Sequence, residues 1–186
     1  MKRLFAIATF VAASFALTSP AHAGLLIEPY LGYGFSGKVE IAPDKEDISG
    51  LTYGARFGVT SLGFMVGAEY MGTQTKIDLP GDNTLNSTNI GIFAGYNFPI
   101  LLRAYATYFF YNTAKADFAI NSNSFDVEGN GLKLGVGYKG LPFVSLNLEY
   151  LMQTYKKAKI GGTNFDLNPN WKTNTLMFTV SLPFSI

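Results

Sequence analysis

From Leu25 to the C-terminus, the chain alternates apolar side chains with small or polar ones at every second position. A period of two is typical of β-strands with two different faces, and no segment of comparable length has the 3.6-residue period of an amphipathic helix. Eight such segments are present, and the predicted strands span about residues 25–35, 50–60, 64–73, 88–97, 101–111, 131–139, 143–155 and 174–186. The pattern predicts one all-β domain over residues 24–186.

The connections between these strands alternate between two kinds. The short connections TSLG, NFPI and KGLP contain the Gly, Asn and Pro residues that tight turns require. The other connections are long and polar, and they are predicted to be loops: Ser36–Ser49, Thr73–Ser87, Asn112–Asn130 and Lys156–Thr173. Successive hairpins of this kind predict an antiparallel up-and-down barrel with turns at one end and four exposed loops at the other.

The first 23 residues have the pattern of a secretory signal peptide. Lys2 and Arg3 precede an apolar run from Leu4 to Leu17, and Ala21-His22-Ala23 forms an A-x-A cleavage site. The apolar run is short for a membrane span of about 20 residues. We therefore expect residues 1–23 to be cleaved and the mature chain to begin at Gly24.

The composition of the mature chain argues against catalysis. The sequence contains no cysteine, and its single histidine, His22, lies in the predicted signal peptide. The mature chain thus lacks the side chains that most often serve as bases, thiol nucleophiles and transition-metal ligands. We expect no enzyme activity, no metal and no cofactor.

The charge balance gives no sign of a nucleic-acid partner. The chain has 14 Lys and Arg residues against 13 Asp and Glu residues, so without Lys2 and Arg3 the acidic residues exceed the basic ones by one. Nucleic-acid binding calls for a basic surplus gathered on one face.

The alternation alone does not decide which face of the barrel points outward. In a soluble barrel the apolar face forms the core, whereas in a transmembrane barrel it meets lipid. Strands of about ten to twelve residues, tilted by about 40°, cross an apolar band of about 25 Å. The opposite face is rich in glycine, which suits a crowded lumen better than a solvated surface. Aromatic residues lie near the strand ends, as in membrane interface girdles: Tyr33, Phe35, Phe64, Tyr70, Tyr96, Phe110, Tyr138, Tyr150 and Phe184. These features favour the transmembrane barrel.

If the apolar set faces lipid, the charged residues of the strands face the lumen. This inward set has three acids and three bases: Glu28, Arg56, Glu69, Arg103, Lys133 and Glu149. We expect Arg56 to pair with Glu69, and Lys133 with Glu149, because unpaired buried charges are expensive. We expect the space around this salt-bridged plug to be filled by Tyr30, Met65, Phe93, Tyr105, Phe109 and Phe143. Eight strands leave room only for side chains, so the prediction is a closed lumen. The alternative is a narrow pore whose selectivity these charges tune.

The signal peptide, the eight alternating strands, the short turns against long loops and the apolar final strand together resemble the small eight-stranded outer membrane β-barrels of the OmpA/OmpX type. The resemblance covers the whole mature chain. One departure is the C-terminus, where Phe184 stands two places before the end and the last residue is Ile186.

The resemblance implies a location in the outer membrane of a Gram-negative cell, with both termini periplasmic and the loops at the surface. The implied partners are outer membrane lipids, lipopolysaccharide and the barrel assembly machinery, and the barrel is expected to be a monomer. Its implied role is structural or interactive. The alternatives are the narrow pore and a soluble periplasmic ligand-binding barrel.

Two loop features bear on partners. Lys156, Lys157 and Lys159 follow the seventh predicted strand and could contact lipopolysaccharide phosphates. The run GVGYKG fits a G-x-G-x-x-G phosphate-binding pattern, but it lies inside a predicted strand instead of between a strand and a helix. We interpret its glycines as lumen-facing spacers.

Overall fold

The computed structural model describes residues 24–41, 44–77, 83–117, 124–141, 143–160 and 163–186. The predicted signal peptide lies outside the described residues. The strands are β1 Gly24–Ile41, β2 Asp44–Ser61, β3 Phe64–Ile77, β4 Asn83–Asn97, β5 Leu102–Asp117, β6 Ser124–Leu141, β7 Val144–Ile160, β8 Thr163–Ser181 and the short β9 Phe184–Ser185. Within this part of the chain, no helix is long and apolar enough to cross a membrane.

The eight long strands form a closed antiparallel ring. Each strand pairs with the next along the chain, and β1 pairs with both β2 and β8. Strand β9 pairs with β1 beyond a break at Leu182 and Pro183. Pro183 has no N–H to donate to the ladder, which explains why the eighth predicted strand is interrupted there. The prediction of an eight-stranded antiparallel barrel is confirmed.

The apolar face of the strands points outward over the half of the barrel next to the short turns. In β2, Leu51 and Phe57 are 48% and 52% exposed, whereas Thr52 and Arg56 on the opposite face are each 2% exposed. In this half of the barrel the apolar face is thus not the core, as it would be in a soluble barrel. We call this end of the barrel, which carries the turns at Leu62–Gly63, Phe98–Leu101 and Phe143, the turn end.

One predicted lumen residue lies elsewhere. Phe143 was expected to fill space beside the inward charges, but it is 78% exposed. It occupies the turn between β6 and β7 with φ of 60°, and this conformation directs it away from the lumen.

The strands are much longer than the sequence pattern predicted. They contain 14 to 19 residues, so at about 3.3 Å per residue and a tilt near 40° they reach roughly 35 to 48 Å. The predicted loops are mostly strand: β1, for example, continues to Ile41, and β2 begins at Asp44. We call the described parts of these segments the extended end: residues 36–41, 44–49, 73–77, 83–87, 112–117, 124–130, 156–160 and 163–173.

In the extended end the polarity of the two faces is inverted. Lys38 and Asp47 point outward and are exposed, whereas the adjacent Val39 and Ile48 are 3% and 5% exposed and point inward. The inward apolar side chains form one cluster: Val39, Ile48, Leu85, Ala114, Val127, Tyr155 and Ala158, with Leu167 and Trp171 packed against it. An apolar interior with a polar exterior is the pattern of a barrel wall in water.

The extended end should resist proteolysis, because its lysines lie in paired strands. Val127 is fully buried in the apolar cluster. Val127→Asp would place an unpaired charge there at a cost of several kcal/mol and fray the extended end. We expect trypsin to leave the native chain intact and to cut V127D near Lys115 or Lys159, as read by mass spectrometry.

Glu128→Gln, at the adjacent outward position, is the matched control and should behave like the native chain. Cleavage of the native chain as rapid as that of V127D would show that the extended end is not an ordered barrel wall.

Candidate functional site: the barrel interior and the outer lysines

The six predicted inward charges lie together at the centre of the barrel. Strand register places Glu28 beside Arg56 across β1 and β2, and Arg56 beside Glu69 across β2 and β3. None of the six is more than 2% exposed. Three carboxylates therefore face three basic groups in a region that water does not reach.

Arg56 connects all three carboxylates. Its Nη1 donates a hydrogen bond to Glu28 Oε1 at 3.0 Å, and its Nη2 pairs with Glu149. Its Nε lies 3.5 Å from Glu69 Oε1, which is an ion-pair distance without hydrogen-bond geometry. The expected contact with Glu69 is thus present, but it is the longest of three. A planar guanidinium with five N–H donors suits this role better than an ammonium group.

Arg103 holds the other side of Glu28. Its Nη1 donates to Glu28 Oε2 at 2.9 Å, and its Nη2 donates to Glu28 Oε1, which makes a bidentate pair. Its Nε and Nη2 also donate to Asn147 Oδ1, at 3.0 and 2.7 Å, and Nη2 reaches Ser181 Oγ at 3.0 Å. These contacts orient Arg103 from β7 and β8 as well as from β1.

Lys133 lies between the two remaining carboxylates. Its Nζ donates a hydrogen bond to Glu69 and is 3.4 Å from Glu149 Oε1. The expected Lys133–Glu149 contact is present, although the hydrogen bond goes to Glu69. The register explains this difference, because Lys133 faces Leu151 across β6 and β7, and Glu149 is two residues further along.

Two tyrosines that the sequence suggested only as filling also take part in the network. Tyr30 donates its hydroxyl to Glu69 Oε1 at 2.7 Å, and Tyr105 donates its hydroxyl to Glu149. The Arg56 guanidinium carbon lies 4.7 Å from the Tyr30 ring centre and 4.2 Å from that of Tyr105. Their inward positions on β1 and β5 could have identified them as partners of the charges.

Glycine makes room for these rings. A Cβ added at Gly54 would lie 2.5 Å from the Tyr30 ring, and one added at Gly135 would collide with Tyr105. Gly135 belongs to the run GVGYKG, which lies inside strand β6. Gly135 and Gly137 are buried as lumen-facing spacers, whereas Gly140 is exposed and lies against the outward ring of Tyr138.

The interior beyond the charges is layered along the barrel axis. An apolar layer follows the charges toward the extended end, and it consists of Tyr30, Met71, Phe109, Leu151 and Met177. Next comes a layer of hydroxyl and amide groups, and then the apolar cluster of the extended end. A second apolar group, Leu26, Met65 and Phe93, lies on the turn-end side of the charges.

The hydroxyl and amide layer crosses the lumen as a chain of hydrogen bonds. Gln153 Nε2 on β7 donates to Asn89 Oδ1 on β4 at 2.9 Å, and Thr173 donates to Gln153 Oε1 at 3.1 Å. Asn89 Nδ2 in turn donates to Ser87 Oγ, which lies 2.7 Å from Thr73 Oγ1. The sequence pattern did not predict this layer, because most of these residues lie in predicted loops or at predicted strand ends.

The three lysines expected to contact lipopolysaccharide all belong to β7 and are exposed on its outer face. Lys157 lies in register between Glu128 on β6 and Asp166 on β8, so carboxylates are close to it. Lys156 stands at the register break between Tyr155 and Lys157. Lys172 is exposed on the adjoining strand β8, and Lys38 is exposed on β1, one strand further; Lys172 stands in register with Glu40, and Lys38 with Asp47.

The described residues hold no group of three or more His, Cys, Asp or Glu side chains arranged to bind a metal ion. The geometry instead defines a barrel whose outer wall is apolar next to the turns and whose interior is filled and, at its centre, charge-neutral. This is the architecture of the small eight-stranded outer membrane β-barrels.

Comparison with known proteins agrees with this class. No family model matches the sequence, and no curated protein matches it. Neisserial surface protein A superposes with a TM-score of 0.57 at 16% identity, over 86% of this chain and 97% of that chain. Ail, the attachment invasion locus protein of Yersinia pestis, gives 0.55 at 12% identity, over 87% of this chain and 98% of that chain. Ail in complex with the heparin analogue sucrose octasulfate gives 0.56 at 14% identity, over 86% and 99%. The chain has the fold of these barrels.

Removal of Arg56 alone should destabilise the barrel more than removal of Arg56 together with one of its acidic partners. Arg56→Gln leaves one excess negative charge among buried carboxylates, and we expect a loss of about 3 to 5 kcal/mol in the free energy of unfolding. Urea unfolding in lipid vesicles, followed by tryptophan fluorescence, would measure this loss.

The double variant Arg56→Gln/Glu149→Gln restores charge neutrality and should recover part of the lost stability. If the double variant is as unstable as the sum of its two single variants, charge balance is not what Arg56 provides.

Proposed function

We propose that this chain is an outer membrane β-barrel protein of a Gram-negative cell, with a closed interior and a structural or surface-interaction role. The observation that carries the proposal is the inversion of polarity along the strands, which the inward apolar cluster of the described residues shows for each long strand except β3. Next to the turns the wall is apolar outside and charged inside, whereas at the extended end it is polar outside and apolar inside. A wall that passes from hydrocarbon into water requires this change.

The orientation follows from the same asymmetry. Bacterial outer membrane barrels have short turns on the periplasmic side and longer structures outside. The turn end would then face the periplasm and the extended end the cell surface. Gly24 and Ile186 both lie at the turn end, where the backbones of Leu25 and Ile186 exchange hydrogen bonds of 2.8 and 3.0 Å. Both mature termini would thus be periplasmic.

The filled interior favours a structural role over the pore alternative. A permeant ion would have to displace the Arg56 network, the apolar layer above it and the apolar cluster of the extended end. Each of these is buried and tightly packed. The absence of histidine and cysteine from the mature sequence also favours a protein without catalytic activity.

Cell fractionation and planar-bilayer recording test this proposal. We expect the protein in the outer membrane fraction, with faster gel migration before boiling than after it, because a closed barrel resists detergent at room temperature. We also expect no steady conductance from the purified protein.

A soluble periplasmic protein with one gel position would overturn the membrane placement. A steady conductance that changes in Arg56→Ala would overturn the closed interior and favour the narrow pore. The two outcomes are independent of each other.

We further propose that Lys156, Lys157 and Lys159 contact the phosphates of lipopolysaccharide in the outer leaflet. They lie just beyond the apolar part of the β7 wall, where lipid phosphates would be found, and Lys172 stands on the adjoining strand β8. Basic side chains at a membrane surface each contribute about 1 kcal/mol of attraction to anionic lipid. Glu128 and Asp166 limit the net charge, so the predicted contact is moderate in strength.

Replacing all three lysines with glutamine should weaken binding of lipopolysaccharide several-fold, because three charges near the phosphates are lost. Binding of lipid A to the protein in detergent, with and without its phosphates, would measure the effect. The matched control is Lys76→Gln on β3, which removes an exposed charge from another part of the wall. Equal binding by the triple variant and the native chain would contradict the proposal.

A further inference from the structure

The turns at the turn end carry large apolar side chains at their tips. Leu62 and Ile100 are each 70% exposed, and Phe143 is 78% exposed. Turns that face water are usually built from Gly, Asn, Asp, Ser and Pro. Ile186 at the C-terminus, which lies at the same end, is 83% exposed.

These apolar residues occupy backbone positions that suit other side chains better. Leu62, Leu101 and Phe143 have φ values of 51°, 64° and 60°, one in each turn. Bulky residues rarely adopt this left-handed conformation. Gly63 after Leu62 has φ of 87°, so both central residues have positive φ, and Asn-Gly would be the ordinary choice there. The chain therefore keeps apolar side chains where asparagine would fit with less strain.

Charged side chains are almost missing from this end. Residues 24–27, 58–66, 95–102, 137–146 and 180–186 contain only one, Lys139. Its Nζ donates to Asn97 Oδ1 at 3.2 Å, and its backbone N–H donates to Leu101 O at 2.7 Å. Lys139 is partly buried and thus joins two neighbouring turns instead of marking an exposed tip.

The apolar tips are continuous with the apolar outer wall. A groove of about 580 Å³ runs from Phe98 and Ile100 in the second turn to Leu148 and Phe178 on the wall of β7 and β8. Next to it, the rings of Phe64, Tyr96 and Phe98 pack at centroid distances of 4.8 and 5.1 Å. None of the outward-facing residues that line this groove has a charged side chain.

We infer that the turn end is embedded in the periplasmic leaflet of the membrane, with the three turns in the boundary between phospholipid headgroups and acyl chains. The inference rests on the membrane placement proposed above. Phospholipid is the occupant that the surface fits, because the apolar tips are distributed around the ring, between β2 and β3, β4 and β5, and β6 and β7. A protein partner docked against the side of the barrel would cover apolar tips on one side only, whereas lipid surrounds the whole circumference.

Site-directed spin labelling tests the inference directly, because the native chain has no cysteine. Labels would be placed at Leu62→Cys, Ile100→Cys and Phe143→Cys in vesicles of phosphatidylethanolamine and phosphatidylglycerol. Leu134→Cys on the apolar wall and Lys76→Cys at the extended end are the lipid and water references. The quantity measured for each label is the ratio of its collision rate with oxygen to its collision rate with a water-soluble nickel complex. We expect this ratio to be several-fold higher for the turn labels than for the Lys76 label.

The inference would be overturned if the turn labels were as accessible to nickel as the Lys76 label while the Leu134 label still collided mainly with oxygen. That result would leave the membrane placement intact. A Leu134 label accessible to nickel would instead overturn the membrane placement. Turn labels shielded from both oxygen and nickel would indicate contact with a second copy of this chain and would also overturn the inference.

A second variant avoids dependence on the labels. Leu62→Asn/Phe143→Asn replaces two apolar tips with asparagine, a residue that tolerates positive φ. We expect this variant to fold in detergent micelles like the native chain but to insert into vesicles several-fold more slowly. Equal insertion by the two proteins would contradict an embedded turn end.

Discussion

The structure depends on the balance of buried charge around Arg56. A barrel of eight strands has room inside only for side chains, so any charge that faces inward loses its water. Arg56 contacts Glu28, Glu69 and Glu149, while Arg103 and Lys133 supply the remaining positive charges. Because the acids and bases are equal in number, the network replaces hydration with ion pairs and hydrogen bonds. It also ties together strands that are not neighbours in the ring.

The second constraint is the change of polarity along the strands. In β1, Leu31 and Tyr33 face outward near the turn end, and Val39 faces inward at the extended end. A register shift between Gly34 and Gly37 separates these two parts of the strand. The shift allows one continuous strand to present opposite polarity patterns, so the extended end has its own apolar core instead of loose loops. The alternating polar and apolar layers of the barrel interior follow from these two constraints.

Much of the fold could be predicted from the alternation itself. Strand number, hairpin order and the inward position of the six charges all follow from a period of two and from the spacing of turns. The extended strands could not be predicted in this way, because Ser36–Ser49 and its counterparts have polar outer residues and read as loops. Their inward apolar residues, such as Ile48 and Val127, lie on the face that carries polar and charged residues nearer the turn end, so the apolar alternation changes phase within the strand.

The local sequence by itself determined that the chain forms an eight-stranded barrel and that Arg56 lies among acids. Only the tertiary structure decided the actual partners. Arg56 bonds most closely to Glu28, its direct register partner on β1, and to Glu149 on β7, which closure of the ring brings to it across a narrow lumen. It also decided that Phe143 points away from the lumen, since the orientation of a turn residue depends on its φ and not on the alternation of the strands.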